Sequence, residues 1–268
     1  MRKIAFQGAH GSYSEEAAIS LGEVETVPCR TLSDVFEIVE SGGGEGIVPV
    51  ENSIEGSIVR TYDLLKDSTV QISREVILKI SHCLITNPGT DLKSIRRVYS
   101  HPQALGQCEQ YLRELNYEAL PTYDTAGSLE LVKREKGSAA IASERAAKMY
   151  DMEILEKGIQ MSPENYTRFF VISAHDADPT GADKTSIVFS TKHLPGSLYH
   201  CLEIFAKAEL NLMKIESRPI LGQPWSYNFY LDFEGHKADA GSKKALKELK
   251  KRTIFLKVLG SYPKGVNR

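Results

Sequence analysis

Cysteine is the first scarcity. The four thiols Cys29, Cys83, Cys108 and Cys201 never fall within a Cys-x-x-Cys spacing, and none has a histidine cluster beside it. Metal-ligand spacing is therefore missing, and free buried thiols in a reducing cytoplasm are expected rather than a disulfide scaffold. Charge excess is also missing. The balance is 33 Lys+Arg against 35 Asp+Glu, a formal net of −2, so the broad basic face of a nucleic-acid or anionic-membrane binder is not expected. A local cationic pocket remains compatible with that balance. No apolar run approaches the roughly 20 residues of a membrane span. The sequence enters a strand-like IAF directly after Met1-Arg2-Lys3, which leaves no room for a signal or transit peptide. Gly8 and Gly11 do not complete a GxGxxG, no GKS or GKT follows, and GxSxG and HExxH are absent. Dinucleotide and nucleotide phosphate loops, nucleophile elbows and zinc-protease helices are accordingly not expected.

What is present is a chain of 268 residues, 41% hydrophobic and 25% charged, long enough for just under two domains of roughly 150 residues. Up to about residue 172, short apolar runs alternate with helical stretches. Strands are expected over 3–8, 24–29 and 46–51, with helices over 14–22, 33–41 and 57–66. A β-rich stretch at 70–87 leads to a second set of units, with strands at 95–100, 117–124 and 138–143 and helices at 103–115, 126–136 and 143–150. Strands at 152–159 and 168–175 are expected to return to the first sheet. The pattern reads as two α/β lobes joined by two crossovers with a cleft between them. The Ala-, Asp-, Gly- and Pro-rich segment 174–184 reads as a linker. Beyond it a β-α-β-β-α-β order within about 80 residues indicates a ferredoxin-like split unit.

Four strand-to-helix junctions share one chemical character. Gln7-Gly8 leads through Gly11-Ser12-Tyr13-Ser14, with Ser12 and Glu15 at capping-box spacing. Glu51-Asn52-Ser53 leads through Gly56-Ser57, Ser100-His101 into Pro102-Gln103, and Asp124-Thr125 into Gly127-Ser128. Helix N-termini carry free N–H groups and partial positive charge, so they favour anions without many Lys or Arg residues. Each junction alone is ordinary capping; four together point to a pocket for a small polyanion. The seven histidines are scattered. Asn165-Tyr166-Thr167-Arg168-Phe169 forms the dense polar and basic cluster, with Arg168 suited to bidentate carboxylate recognition and Thr167 a neutral hydroxyl donor. By themselves those residues could equally form a turn.

Five strings carry a resemblance. VPVENSIEGS (48–57), SHPQALGQC (100–108) and TRFFVI (167–172) resemble the catalytic signatures of prephenate dehydratases, the family that converts prephenate to phenylpyruvate, water and carbon dioxide. LPGSLYHCLEIF (194–205) and ESRP (216–219) resemble that family's C-terminal ACT regulatory module. The resemblance implies a periplasmic-binding-protein-like catalytic domain over 1–175, with lobe 1 at about 1–76 and 156–175 and lobe 2 at about 77–155. An ACT domain follows at 184–268. It implies no cofactor and no metal. Thr167 becomes the essential threonine, Arg168 the grip on a substrate carboxylate, and Phe169 packing behind them. Asn52, Ser53, Gly56, Ser100, His101, Gln103, Thr125, Ser12 and Tyr13 become substrate-binding residues, with Glu51 either an acid or a capping carboxylate.

L-Phenylalanine is implied as an allosteric effector held by Pro195, Gly196, Ser197 and Leu198 together with Glu216, Ser217, Arg218 and Pro219. Ser197 stands where the family usually has alanine. A cytoplasmic homodimer at least, or a tetramer, is also implied. Arogenate dehydratase and a non-enzymatic two-lobed amino-acid sensor are the competing expectations.

Overall fold

The structure, a computed structural model, describes residues 1–122 and 127–265. The first sheet begins with β1 (Arg2–Gln7), α1 (Tyr13–Ile19), β2 (Val24–Cys29), α2 (Leu32–Glu40), β3 (Glu45–Asn52), the short β4 (Gly56–Ser57), α3 (Val59–Asp67) and β5 (Gln71–Lys79). Thr31 and Asp34 form a full capping box that starts α2, and Val35, Phe36 and Val39 bury its inner face, as the helical spacing indicates. Ser12 caps α1 by accepting from Glu15 N, but Glu15 does not complete the box. Its buried carboxylate turns back to Gly11 N at 2.7 Å and Thr26 Oγ1 at 3.0 Å.

The chain then crosses to a second sheet built from β6 (Cys83–Thr86), β7 (Arg97–Ser100), α4 (Pro102–Gln107), α5 (Glu109–Glu114), β8 (Glu118–Pro121), α6 (Ser128–Arg134), β9 (Ser138–Ala142), α7 (Glu144–Met149) and β10 (Glu153–Lys157). Its strand order is β10-β6-β9-β7-β8. The helix expected over 103–115 is two helices meeting at Cys108. One expectation fails here. Residues 153–157 do not return to the first sheet but pair antiparallel with β6, Ile154 opposite Ile85. Ile154 and Leu155 pack into the two cores on opposite faces of the second sheet. The sequence of β10, EILEK, places only Ile154 and Leu155 on the two faces and leaves Glu153, Glu156 and Lys157 exposed, so a strand this short carries no mark of which sheet it joins. β11 (Tyr166–Ser173) does return, inserted antiparallel between β3 and β5 in the order β2-β1-β3-β11-β5. The two crossovers run side by side, tied by Ile80 N to Asn165 O (2.8 Å) and His82 N to Gln160 Oε1 (2.9 Å).

The segment after β11 is pinned, since Asp183 accepts from Thr180 N (2.8 Å) and Gly181 N (3.1 Å) and Lys237 pairs with Asp176 at 2.5 Å. It feeds β12 (Asp183–Ser190), α8 (Ser197–Lys207), β13 (Leu212–Ile220), β14 (Gln223–Glu234), α9 (Ala240–Arg252) and β15 (Phe255–Pro263). These form an antiparallel sheet in the order β13-β14-β12-β15, the split β-α-β-β-α-β arrangement. Strand alternation divides its side chains. Ile187, Phe189, Leu231 and Phe233 meet Cys201 and Phe205 of α8 and Leu249 of α9. Val188, Tyr230, Leu259 and Tyr262 face the other way, into one core with Val35, Phe170 and Ile172 of the first sheet. Each fully buried side chain of this size contributes about 1.5–3 kcal/mol. At Gly260 the two backbones abut, for a Cβ there would lie 2.3 Å from Ile72 O. Among the described residues no helix is long and apolar enough to cross a membrane.

Candidate active site

A cavity of about 310 Å³ lies between the two lobes. Gln7, Gly8, Ser12, Tyr13 and Ser14 line it from the β1–α1 turn, and Pro49 and Asn52 from the end of β3. Thr167 and Phe169 line it from β11, Ile80 and His82 from the first crossover, and His101, Gln103, Ala104 and Gln107 from α4. Gly8 has a φ of +110°, a backbone conformation that favours glycine. Among its described lining residues none is Asp, Glu, Lys or Arg. Its polarity comes from hydroxyls, amides, two imidazoles and the starts of α1 and α4. No group of three His, Cys, Asp or Glu side chains among the described residues could hold a metal ion.

The core of the site is a chain of buried neutral groups. Asn52 Oδ1 accepts from Ile54 N (3.0 Å) and Glu55 N (3.1 Å), which fixes the amide plane. Its Nδ2 then donates to Thr167 Oγ1 at 3.0 Å and to Asn165 Oδ1 at 2.8 Å. Register makes this possible, because Thr167 sits opposite Asn52 across the β11–β3 ladder. Asn165 Nδ2 donates to Gln107 Oε1 at 2.8 Å, and that oxygen also accepts from His82 Nε2 at 2.9 Å. The imidazole therefore carries its proton on Nε2. The Tyr13 hydroxyl donates to Ser81 O at 2.7 Å and lies 3.2 Å from His82 Nδ1. Burial, with Cys83 and Glu16 adding to it, holds Tyr13 well above the ordinary phenol range. Every member of the chain is neutral, as suits buried groups that hydrogen-bond one another, and Gln107 Nε2 closes it with a longer contact to the Glu55 carboxylate at 3.4 Å.

Burial also holds His82 below its ordinary value near 6.5, against the opposing hydrogen bond to Gln107. The folded ring stays neutral where the unfolded chain takes up a proton, so this stability is present above that value and is lost as pH falls below it. The urea midpoint is expected to drop between about pH 7.5 and pH 5.5, and His82→Gln to flatten that slope. An equal slope in the variant overturns the assignment.

Of the residues expected from sequence, Ser12, Tyr13, Asn52, His101, Gln103, Thr167 and Phe169 come together in the cavity. Ser53, Gly56 and Ser100 do not. Ser53 Oγ donates to Glu164 O and accepts from Tyr166 N, both at 2.9 Å, and clamps β3 to β11. Ser100 Oγ donates to Ile141 O and is fully buried. Gly56 turns the chain with φ +82°. Thr125 lies outside the described residues. His82 and Gln107 are the additions. Gln107 lies four residues after Gln103 on α4, on the same helix face, and that spacing was the available signal.

Arg168 requires a correction. Neighbouring strand residues point to opposite faces, so with Thr167 in the cavity the guanidinium turns away from it. It pairs with Glu75 (2.8 Å) and Asp232 (2.7 Å), donates to Tyr262 Oη (3.0 Å) and stacks on Phe170. Burial opposes its charge, but Tyr262, Asp232 and Glu75 outweigh that and raise its pKa. Its donors are committed to the interface with the C-terminal sheet and do not reach a substrate in the cleft. Glu51, next to Asn52, faces the same side.

The two expected effector segments lie apart within one chain. Gly196 caps α8 with φ +79°, and Ser197 and Leu198 line a cavity of about 140 Å³ with Trp225 and Tyr227. Pro195 and Gly196 precede it at the helix entrance. Glu216 hydrogen-bonds Ser57, and Arg218 pairs with Asp63 of α3 at 2.7 Å. Arg218 and Pro219 line a different cavity, and Ser217 is exposed.

The prephenate dehydratase family model matches residues 4–177. A bifunctional chorismate mutase/prephenate dehydratase of Aquifex aeolicus is 42% identical over 98% of this chain and 74% of its own length. Arogenate dehydratase/prephenate dehydratase 2 of Arabidopsis thaliana is 42% identical over 97% of this chain and 72% of its own. The structure of a prephenate dehydratase from Arthrobacter aurescens, in complex with L-Phe, superposes with a TM-score of 0.90 at 30% identity, covering 98% of this chain and 90% of that one. Signature strings, two-lobed cavity and relatives agree, and the chain belongs to the prephenate dehydratase family.

Proposed function

We propose that this chain is a prephenate dehydratase and that the cleft residues drive its decarboxylative dehydration. The observation that carries the reading is the Asn52–Thr167 hydrogen bond. Because Thr167 Oγ1 accepts from Asn52 and meets no acceptor among the described residues, its own O–H is available to donate into the cavity. In the reaction the ring carboxylate leaves as carbon dioxide and its electron pair enters the ring. The para C–O bond breaks, the ring becomes aromatic, and the departing oxygen takes one proton from solvent to leave as water. Thr167 donates to that oxygen as negative charge develops on it. Its own proton is held too tightly to be given up. The substrate's two carboxylates meet hydroxyl, amide and helix-start donors instead of arginines, and Phe169 and Ile80 supply the apolar wall.

The catalytic domain covers 1–175, with its first lobe ending at Lys79 and resuming at Tyr166. The module from about 184 to 268 is an ACT domain that answers to L-phenylalanine, as suits the effector motifs on α8 and β13. It works as a homodimer at least, with a dimer of dimers as the full assembly, in which residues 195–198 of one subunit meet 216–219 of another. Four buried free thiols fit the cytoplasm. One experiment covers the reading: phenylpyruvate formation from prephenate against phenylalanine formation from arogenate, with and without L-phenylalanine, on protein whose mass is followed by sedimentation. Faster turnover of prephenate by an oligomer is expected. Faster turnover of arogenate, or a monomer under both conditions, overturns the corresponding part.

A further inference from the structure

β13 meets the first sheet through one of its faces. Along it Leu212, Lys214, Glu216, Arg218 and Ile220 are half-buried while the residues between them are exposed, the period of a strand with one covered side. Three of those inward residues carry charge, and each finds a partner in the catalytic domain. Arg218 pairs with Asp63 of α3, Glu216 with Ser57 of β4, and Lys214 with Glu51 of β3 at 3.0 Å. Lys214 also lies 3.2 Å from Glu216, donates to Ser57 Oγ at 2.8 Å and sits over the Tyr62 ring. Its ammonium is therefore shared between a carboxylate of the effector motif and a carboxylate of the catalytic strand. Both carboxylates lie within ion-pair distance of the one ammonium, at 3.0 Å and 3.2 Å, so a shift toward either weakens its hold on the other.

The far end of the relay lies directly behind the reacting groups. Glu51 precedes Asn52 on β3, and Arg168 follows Thr167 on β11. The pair Asn52 and Thr167 faces the cleft, while Glu51 and Arg168 face the C-terminal sheet, with 3.7 Å between their charged atoms. The side chains of Lys214 and Arg168 are 13% exposed, against 25% for Glu216 and 35% for Glu51, so solvent screens these contacts less than fully exposed pairs. A shift of Lys214 from Glu51 toward Glu216 changes the field on Glu51 and Arg168. Those two residues are the chain neighbours of Asn52 and Thr167, which hydrogen-bond each other on the cleft side.

We infer that Lys214 couples effector binding on the C-terminal module to catalysis, by dividing its charge between Glu216 and Glu51. The inference rests on the phenylalanine regulation proposed above. An amino acid seated on residues 216–219 brings an ammonium and a carboxylate beside Glu216 and Arg218, competes for Glu216, and sends Lys214 toward Glu51. The two arrangements thus differ in their interaction with the effector, which a ligand-driven shift requires.

The test is Lys214→Met in the full-length protein, with prephenate turnover followed against L-phenylalanine concentration and L-phenylalanine binding measured separately by calorimetry. Turnover without effector is expected within about threefold of wild type and binding within about threefold, while the response shrinks from about fivefold or more to less than about twofold. Lys214→Arg is expected to restore the response. Lys214→Gln replaces the methionine variant should that one not fold. A variant that responds like wild type overturns the coupling and leaves the regulation standing. A variant that no longer binds L-phenylalanine also overturns it, since Lys214 would then belong to the effector site. A wild type that binds no L-phenylalanine overturns the regulation and the coupling together.

Discussion

Thr167→Ala is expected to lower kcat for prephenate by about 10²–10³-fold, the usual loss for one donor aimed at developing negative charge. The methyl that alanine keeps cannot donate to the departing oxygen. Folding is expected to survive, because Asn52 Nδ2 still has Asn165 Oδ1 at 2.8 Å and Tyr166 O at 3.1 Å. Thr167→Ser retains the hydroxyl and is expected to stay within about tenfold of wild type, since the donor remains but its rotamer is freer. Steady-state rates, with circular dichroism as a control, decide the matter. A correctly folded alanine variant with near-normal turnover would remove Thr167 from the chemistry.

Arg168→Met is the second large effect, and it is one of stability. Removing one partner of a buried charge pair typically costs about 3–5 kcal/mol, because the other partner is left unpaired. Here Asp232, 3% exposed, would keep Ser186 and lose its cation, and Glu75 would keep Lys184 and the Gly265 N–H but lose the guanidinium. Chemical unfolding is expected to show that loss, while the KM of the folded fraction for prephenate stays within about threefold of wild type. A guanidinium that gripped the substrate would give the reverse, a large rise in KM with little change in the unfolding midpoint. That reverse pattern would restore Arg168 to the cleft.

Thr167 and Arg168 also mark how far the sequence could be read. Alternation along a strand requires the two to face opposite ways. Which of them faces the cleft is not written in β11, where residues 169–172 are all buried and no polar side distinguishes the faces. The cleft side is chosen by register with Asn52, a contact 115 residues away in sequence. The same physics hid His82, whose significance comes only from meeting Gln107, which in turn holds Asn165. Junction residues such as Ser12, Tyr13, His101 and Gln103 were legible because a helix start leaves a local mark, a capping side chain or a proline at the first position. The split unit at the C-terminus was legible as well, since its order of elements needs no partner. Its shared core with the first sheet was not, for Val188 and Tyr262 look like any strand interior.

The path of β11 has a consequence for how the molecule is made. Every strand of the second lobe lies between Cys83 and Lys157, an unbroken stretch that can collapse as soon as it leaves the ribosome. The first lobe cannot close then, because the gap between β3 and β5 waits for residues 166–173. Closing a loop that long slows assembly but adds little to its final cost, which grows only with the logarithm of length. Thr167 rides on that late strand. The nascent chain accordingly holds no competent site until β11 has been translated, and the strand that completes the sheet delivers the hydroxyl in the same motion.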